Sequence, residues 1–426
     1  MRHNNYPGGA TRQQLVDWFE SGRKTTKAIF QIPAQSAYYE RPIPLRNPIV
    51  FYEGHLPAFC VNTLIKLALQ SPGIDEAFEE LFARGIDPES ADAARPPTDM
   101  WPTREAVQAY GKEADRRLID SLLHAPIDDG RTPQRANAEA AFAILEHEHM
   151  HQETFLYMLH ELPYEKKRPI APFNVSGSEE PRSEVVRDAV RIPAGPTTLG
   201  TADGAFGWDN EFAAHTVDVP SFTIDRHNVT NREYLRYLEE TGAGAPHFWT
   251  ARAGGWYWRG MFELVPLPLD WPVFVTQEQA EAFARWKGGR VPTEAEYHRA
   301  AFGTPAGEER SFPWGETAPD PSRGNFGFQR WDPAPIGSFP QGASAWGVHD
   351  LVGNGWEWTS TPFEGFPRFH PMDSYPVYSE EFFDGKHYVM KGASPVTDAR
   401  LTRRSFRNWF RSNYPYMYAT FRCAWD

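Results

Sequence analysis

The chain has 426 residues, of which 41% are hydrophobic and 23% are charged, proportions that exclude a chain that is disordered throughout. Its formal net charge of −13 excludes a globally basic surface for nucleic acid. No apolar run reaches the roughly 18–20 residues that span a bilayer, and the first residues lack the apolar stretch of a signal peptide, so we expect a cytoplasmic protein without membrane or nucleic-acid partners.

Residues 10–163 have the pattern of a helical bundle. Helical periodicity is predicted over 11–30, 57–70, 74–84, 104–124 and 134–162. The last of these is the longest. Thr132 can cap its start, and the Leu162-Pro163 pair ends it. Four or five such helices with short connections predict an up-and-down bundle.

The character of the chain changes after residue 163. Residues 164–186 are rich in charged residues, Pro, Gly and Ser, and are predicted to form a connection. From residue 187 to 426, short strand patterns alternate with turns rich in Gly, Pro and Trp, and three helices are predicted at 231–241, at 276–286 and after the cap Thr293. We therefore predict an α+β protein in which a helical domain (10–163) precedes a second domain (187–426).

The strongest chemical signal lies on the helix predicted over 134–162. His147 and His151 are four residues apart, so they lie one turn apart on one face, and they fall on an apolar stripe with Ile144 and Phe155. Two neutral imidazoles inside a core are costly unless something uses their lone pairs. Carboxylate partners are one alternative, but an inward-facing pair favours a metal ion.

A third ligand is expected from elsewhere in the bundle. His55 is the best candidate, because it lies in an apolar segment at the entrance to a predicted helix. Imidazole suits Zn, Fe, Cu and Ni, so the ligand type alone does not choose the metal. Three His ligands with open positions are compatible with Fe(2+) and dioxygen chemistry, and also with catalytic zinc.

The same segment offers a rival interpretation. His147-Glu148-His149-Met150-His151 satisfies the H-E-x-x-H pattern of zinc proteases, in which the Glu is the general base. The extended form of that pattern fails, because Thr154 and Tyr157 stand where it requires Gly and His. A zinc hydrolase is therefore the weaker alternative.

Four motifs of the C-terminal half occur in a known order and spacing. They are Arg290-Val291-Pro292-Thr293-Glu294-Ala295-Glu296-Tyr297, Gly353-Asn354-Gly355-Trp356-Glu357-Trp358-Thr359, Lys391-Gly392-Ala393-Ser394 and Phe421-Arg422-Cys423-Ala424. Together they resemble the formylglycine-generating-enzyme family, whose domain has a C-type-lectin-like fold. That family works through copper on a pair of cysteines, whereas this domain contains only Cys423, so the resemblance implies the fold without that activity.

The helical half resembles the DinB-like four-helix bundle, through a His-x3-His-x-Glu signature at His147, His151 and Glu153. A DinB-like bundle followed by a lectin-like domain resembles the EgtB-like sulfoxide synthases of ergothioneine biosynthesis, and this resemblance covers nearly the whole chain. It implies a non-haem iron oxidoreductase that holds Fe(2+) on His55, His147 and His151. Such an enzyme uses O2 to join hercynine, the betaine of histidine, to a thiol and leaves a sulfoxide.

The resemblance also implies substrate-binding residues. Asn408 and Trp409 match family positions that line the hercynine site, and an aromatic face suits a quaternary ammonium, which has no N–H to donate. Family members that use γ-glutamylcysteine carry Asp after this pair, where the chain has Phe410, so free cysteine is the favoured thiol and hercynyl-cysteine sulfoxide the expected product. Arg84 is a further candidate that would bind a substrate carboxylate.

Three questions stay open at this point. The family uses a tyrosine as proton donor, and Tyr110, Tyr375, Tyr378 and Tyr416 are all candidates. Closely related synthases make the 5-histidylcysteine sulfoxide that leads to ovothiol, or join selenium to hercynine as selenoneine synthases. From a different class, a non-catalytic module would bind a metal and a betaine without turnover.

Overall fold

A computed structural model of the chain describes residues 10–83, 101–170, 188–202 and 204–426. Within these residues the N-terminal part contains five α-helices, which are α1 (Arg12–Ile29), α2 (Ile49–Cys60), α3 (Glu76–Leu81), α4 (Arg104–His124) and α5 (Glu139–His160). A π-helix over Val61–Ala68 directly continues α2. The helices α1, α2, α4 and α5 pack against one another around an apolar core, as expected for a bundle.

Two helix boundaries differ from those predicted. The second helix begins at Ile49 rather than at residue 57, and Pro57 lies in its interior instead of at its first turn. Nearly every residue from Ile49 to Cys60 is buried, so the segment has no apolar–polar periodicity that could mark its start. His55 consequently lies within α2, not at its entrance.

The last helix of the bundle also starts later than predicted. Pro133–Ala138 forms a 3₁₀ segment, and Asn137 and Ala138 adopt left-handed backbone angles before α5 begins at Glu139. The predicted cap Thr132 makes no side-chain capping hydrogen bond. The predicted connection 164–186 falls largely outside the described residues, so the domain boundaries stay predictions.

The C-terminal part combines short strands with three helices. Its helices are α6 (Asn231–Thr241), α7 (Gln277–Trp286) and α8 (Glu294–Phe302), as predicted, and Thr293 caps α8 through a capping box with Glu296. Its strands are β1 (Ala189–Ile192), β2 (Gly195–Leu199), β3 (His215–Val219), β4 (Phe222–Asp225), β5 (Trp249–Arg252), β6 (Gly255–Arg259), β7 (Leu264–Pro266), β8 (Gly355–Pro362), β9 (His387–Ala393), β10 (Asn408–Arg411), β11 (Ala419–Thr420) and β12 (Ala424–Trp425).

These strands form four small sheets. Their orders are β1-β4-β12, β10-β9-β8-β11, β2-β3 and β5-β6-β7. The second sheet positions the site, because its edge strand β10 pairs antiparallel with β9 and places Trp409 opposite Val389 and Phe410 opposite Tyr388. Successive side chains of a strand point to opposite faces, so Trp409 and Phe410 leave β10 on different sides. The α+β architecture predicted from the sequence is confirmed.

Helix α5 is buried between the two parts of the molecule. From Ala140 to His160 every residue is buried except Met150, His151 and Thr154. Two of the buried residues are carboxylates that bond to the C-terminal part. Glu146 accepts hydrogen bonds from Arg403 (2.6 Å) and Trp208 (2.9 Å).

The second buried carboxylate is Glu153. It accepts hydrogen bonds from Trp356 Nε1 (2.7 Å), Ser394 Oγ (2.7 Å) and Thr397 Oγ1 (2.8 Å). All three donors belong to the C-terminal part, so this carboxylate joins the bundle to that part. Its role in the His-x3-His-x-Glu signature is therefore to hold the helix in place.

No helix among the described residues is both long enough and apolar enough to cross a membrane.

Replacement of Glu153 by Ala is expected to destabilise the protein by about 3 kcal/mol, because three buried donors lose their acceptor. Thermal unfolding of Glu153→Ala should show a transition lowered by several degrees. Glu240→Ala, which removes an exposed ion pair with Arg236 on α6, is the matched control and should leave the transition almost unchanged. Equal transitions in the two variants would contradict the assigned role of Glu153.

Candidate active site

Three histidines converge at the interface of α2 and α5. One ring nitrogen from each of His55, His147 and His151 lies within 4.8 Å of the others. The ring centroids are separated by 5.2 Å (His55 to His147), 4.9 Å (His55 to His151) and 4.3 Å (His147 to His151). The structure thus brings together the three side chains that the sequence analysis selected as ligands.

The hydrogen bonds of these histidines leave lone pairs for a metal. His55 Nδ1 donates to the Phe82 carbonyl oxygen at 2.8 Å, which leaves Nε2 unprotonated in the neutral ring. The buried Nδ1 atoms of His147 and His151 have no hydrogen-bond partner within the described part of the chain.

Burial, followed by the neighbouring positive charges, lowers the pKa of both His147 and His151 well below the usual value. Neutral, buried and closely spaced imidazoles fit a divalent transition metal.

The neighbouring residues of the motif face away from the cluster. His149 Nε2 accepts a hydrogen bond from Trp18 Nε1 at 2.6 Å, inside the bundle. Glu148 is paired with Arg23 (3.2 Å) and accepts a hydrogen bond from Thr26 (2.5 Å). Because Glu148 does not line the cavity of the histidine cluster, the zinc-protease interpretation lacks its general base.

A cavity of about 570 Å³ opens onto the histidine cluster. It is lined by both parts of the molecule, and the three residues between Ala140 and His160 that are not buried, Met150, His151 and Thr154, all line it. The predicted substrate residues Asn408, Trp409 and Phe410 line it as well. Arg84, the fourth predicted substrate residue, lies outside the described residues.

Aromatic rings surround Trp409 on its side of β10. Trp409 stacks on Phe363 with ring centroids 4.2 Å apart, and Tyr378 and Phe382 lie at 5.1 Å and 5.7 Å. Tyr378 and Phe382 also line the cavity. This side of the cavity has the aromatic faces that attract a quaternary ammonium.

Phe410 lies in a second aromatic group. It stacks on Tyr414 (4.9 Å) and contacts Tyr157 of α5 (6.2 Å). The guanidinium of Arg46 lies beside these three rings and also lines the cavity. Sequence reasoning missed Arg46, because it stands in an aperiodic loop before α2 and no motif includes it.

Two of the four candidate tyrosines line the cavity. The ring of Tyr375 lies 6.2 Å from that of His147, and Tyr378 stacks on Trp208 and donates to Met150 Sδ at 3.4 Å. Tyr110 instead packs on Phe78 inside the bundle, and Tyr416 packs on His247. The geometry therefore brings Tyr375 and Tyr378 to the site and leaves Tyr110 and Tyr416 outside its lining.

The chain is similar to several known proteins. Residues 175–426 match the sulfatase-modifying factor enzyme 1-like domain. The hercynine oxygenase of Mycolicibacterium thermoresistibile is 36% identical over 90% of this chain and 88% of its own length, and that of Mycolicibacterium smegmatis is 31% identical over 97% and 99%. The formylglycine-generating enzyme of Bos taurus is 29% identical over 60% of this chain and 78% of its own length.

Fold and site together define an oxidoreductase in which a helical bundle with a histidine cluster packs against a sulfatase-modifying-factor-type domain. The chain belongs to the hercynine oxygenase family, as the resemblance to ergothioneine-biosynthesis enzymes predicted. Membership of an enzyme family disfavours the non-catalytic binding module.

Replacement of His147 by Ala should abolish stoichiometric metal binding, because two imidazoles without the third lose most of the affinity for a divalent ion. Metal content after loading with Fe(2+) without oxygen, followed by gel filtration, measures this directly. His149→Gln is the matched control on the same helix, and it should retain one metal per chain. Full metal content in His147→Ala would show that the cluster is not the metal site.

Proposed function

We propose that the protein catalyses the oxidative coupling of hercynine to free cysteine, with Fe(2+) as cofactor and O2 as oxidant, and gives a hercynyl-cysteine sulfoxide in ergothioneine biosynthesis. The observation that carries the proposal is that the histidine cluster and the aromatic group around Trp409 line one cavity. The names of the relatives, hercynine oxygenase and ergothioneine biosynthesis protein 1, support hercynine and oxygen as substrates.

The reaction balances with one molecule of O2. The imidazole C–H and the thiol S–H bonds are broken and a C–S bond forms, which releases two electrons, and oxidation of sulfur to the sulfoxide releases two more. These four electrons reduce O2, one oxygen atom of which stays on sulfur while the other leaves as water. No further reductant is required.

Three residues would hold the metal. His55, His147 and His151 present neutral imidazoles, and three ligands leave open positions for substrates. Fe(2+) bound there would supply the redox chemistry with O2 and would lower the pKa of a coordinating thiol. The protein itself contributes orientation of the two substrates and exclusion of bulk water.

The aromatic group around Trp409 would bind the trimethylammonium of hercynine. Trp409, Tyr378 and Phe382 provide π faces on that side of the cavity, and a quaternary ammonium is attracted to them without any hydrogen bond. Asn408, which precedes Trp409 on β10 and also lines the cavity, would offer amide N–H donors to a substrate carboxylate. The imidazole of hercynine would then extend toward the histidine cluster.

Tyr375 would supply the proton. Of the two cavity tyrosines it is the one whose ring lies near that of a cluster histidine, 6.2 Å from His147. Its Oη would donate a proton to an oxygen atom derived from O2, which favours coupling over simple oxidation of the thiol.

Mass spectrometry of the products tests the proposal. Protein reconstituted with Fe(2+) without oxygen is exposed to O2 with hercynine and either cysteine or γ-glutamylcysteine. We expect a hercynyl-cysteine sulfoxide with cysteine as the better donor. A conjugate formed only from histidine, or only with a selenol donor, would instead establish the ovothiol-type or selenoneine-type alternative.

Replacement of Phe410 by Asp should shift the preference toward γ-glutamylcysteine. A carboxylate at this position can accept a charge-assisted hydrogen bond from the glutamyl ammonium, which contributes about 1.5–3 kcal/mol, or roughly 10- to 100-fold in the ratio of kcat/KM. Phe410→Leu, which removes the ring but adds no charge, is the control. An unchanged ratio in Phe410→Asp would show that Phe410 lies outside the thiol subsite.

A further inference from the structure

The strand β10 divides the cavity into two sides. Trp409 packs on Phe363, Tyr378 and Phe382, whereas its neighbour Phe410 packs on Tyr414 and Tyr157. The two side chains leave the strand in opposite directions, so these aromatic groups are separate. The first suits a quaternary ammonium, and the second contains a cation of its own.

That cation is Arg46. Its Cζ lies 5.8 Å from the ring centroid of Tyr157, 6.0 Å from that of Phe410 and 5.7 Å from that of Tyr414. Its Nε donates to the Tyr414 hydroxyl at 3.2 Å. Contacts with three rings and one hydrogen bond restrict the guanidinium, so less conformational entropy is lost when it binds a ligand.

Arg46 is connected to the histidine cluster through its neighbour in the chain. The backbone N–H of Asn47 donates to the Tyr52 hydroxyl at 3.4 Å, and the Tyr52 ring lies 6.0 Å from that of His151. Arg46, Tyr52 and His151 all line the cavity. The guanidinium therefore belongs to the same cavity as the metal ligand His151.

The other charged side chains that line the cavity are Glu153, Glu381, Asp384, Lys386 and Arg411. Lys386 and Asp384 are exposed at the β9 end of the cavity, where Asp384 accepts a hydrogen bond from His387 Nδ1 at 2.8 Å. Arg411 is the backbone register partner of His387 in the β9–β10 ladder. Glu153 is committed to its three donors. Arg46 is thus the cation that these contacts place beside Phe410 and Tyr157.

We infer that Arg46 binds the carboxylate of the thiol substrate, and that Phe410 and Tyr414 hold it where a small amino-acid thiol can bridge from the guanidinium to the histidine cluster. A planar guanidinium matches the two oxygens of a carboxylate. In this arrangement Phe410 fills the space beside the guanidinium, which limits the room for a glutamyl arm and selects free cysteine. This assignment deepens the proposed function and rests on it.

A comparison of the binding of two thiols tests the assignment without turnover. Calorimetry in the absence of oxygen compares L-cysteine with cysteamine, which lacks the carboxylate, on Fe(2+)-loaded protein saturated with hercynine. The native protein should bind cysteine roughly 10- to 100-fold more tightly than cysteamine, the range expected for a hydrogen-bonded charge pair. In Arg46→Gln this preference should fall to about two-fold or less, with cysteamine binding undiminished.

Two further variants sharpen the test. Arg46→Lys keeps the charge but loses the planar fork, so it should retain part of the preference and also reports on the site if Arg46→Gln folds poorly. Arg411→Gln removes the same charge from the rival cation on β10, and the preference should survive in it. A preference that survives in Arg46→Gln, or that disappears in Arg411→Gln instead, would overturn the assignment.

The same variants distinguish a failure of the Arg46 assignment from a failure of the proposed function. Carboxylate-dependent binding that requires Arg46, without any conjugate after O2 is admitted, would refute the proposed reaction and leave Arg46 as the carboxylate site. Formation of the conjugate at an unchanged KM for cysteine in Arg46→Gln would refute the assignment and leave the reaction.

Discussion

The structure depends on the burial of helix α5, with several polar side chains, between the two parts of the molecule. Helix α5 carries Glu146, Glu153 and two histidines of the cluster, His147 and His151, and a helix with such residues is costly to bury unless each polar group has a partner. The C-terminal part supplies partners for the two carboxylates, through Arg403 and Trp208 for one and Trp356, Ser394 and Thr397 for the other. By contrast, the buried Nδ1 atoms of His147 and His151 have no hydrogen-bond partner among the residues that the structure describes.

That difference explains how the two parts create one site. The bundle fixes the positions of His55, His147 and His151, and the sheet that contains β10 brings Trp409 and Phe410 to the same cavity. Because Glu146 and Glu153 lie one residue before and two residues after the histidine pair, the bonds that join the domains also fix the orientation of the ligands. The docking of the two parts and the positions of His147 and His151 therefore both depend on α5.

The histidine pair and the domain order could be predicted from the sequence, since a spacing of four on an apolar stripe has a direct structural meaning. The start of α2 could not, because Ile49–Cys60 is apolar on all sides and Pro57 resembles a first-turn proline. Asn408, Trp409 and Phe410 were found only through family resemblance. Arg46 was missed altogether, because its importance comes from three rings that lie more than 100 residues away in the chain or on another helix.

The position of a candidate tyrosine in the sequence likewise does not predict how close it lies to the histidine cluster in the folded protein. Tyr110 belongs to the bundle that holds the ligands, yet it packs on Phe78, whereas Tyr375 comes from the far domain and reaches the cavity. Long loops of the C-terminal part are placed by aromatic contacts such as those of Tyr375 with Phe59 and Tyr378, which no local pattern reveals.

The central claim is that one cavity between the two domains holds both the metal and hercynine. X-ray diffraction at the iron absorption edge, from crystals grown without oxygen with Fe(2+) and hercynine, tests it most directly. The account predicts a single anomalous peak bonded to His55, His147 and His151, with the trimethylammonium of hercynine against Trp409. An iron peak at other residues, or hercynine bound outside this cavity, would contradict it.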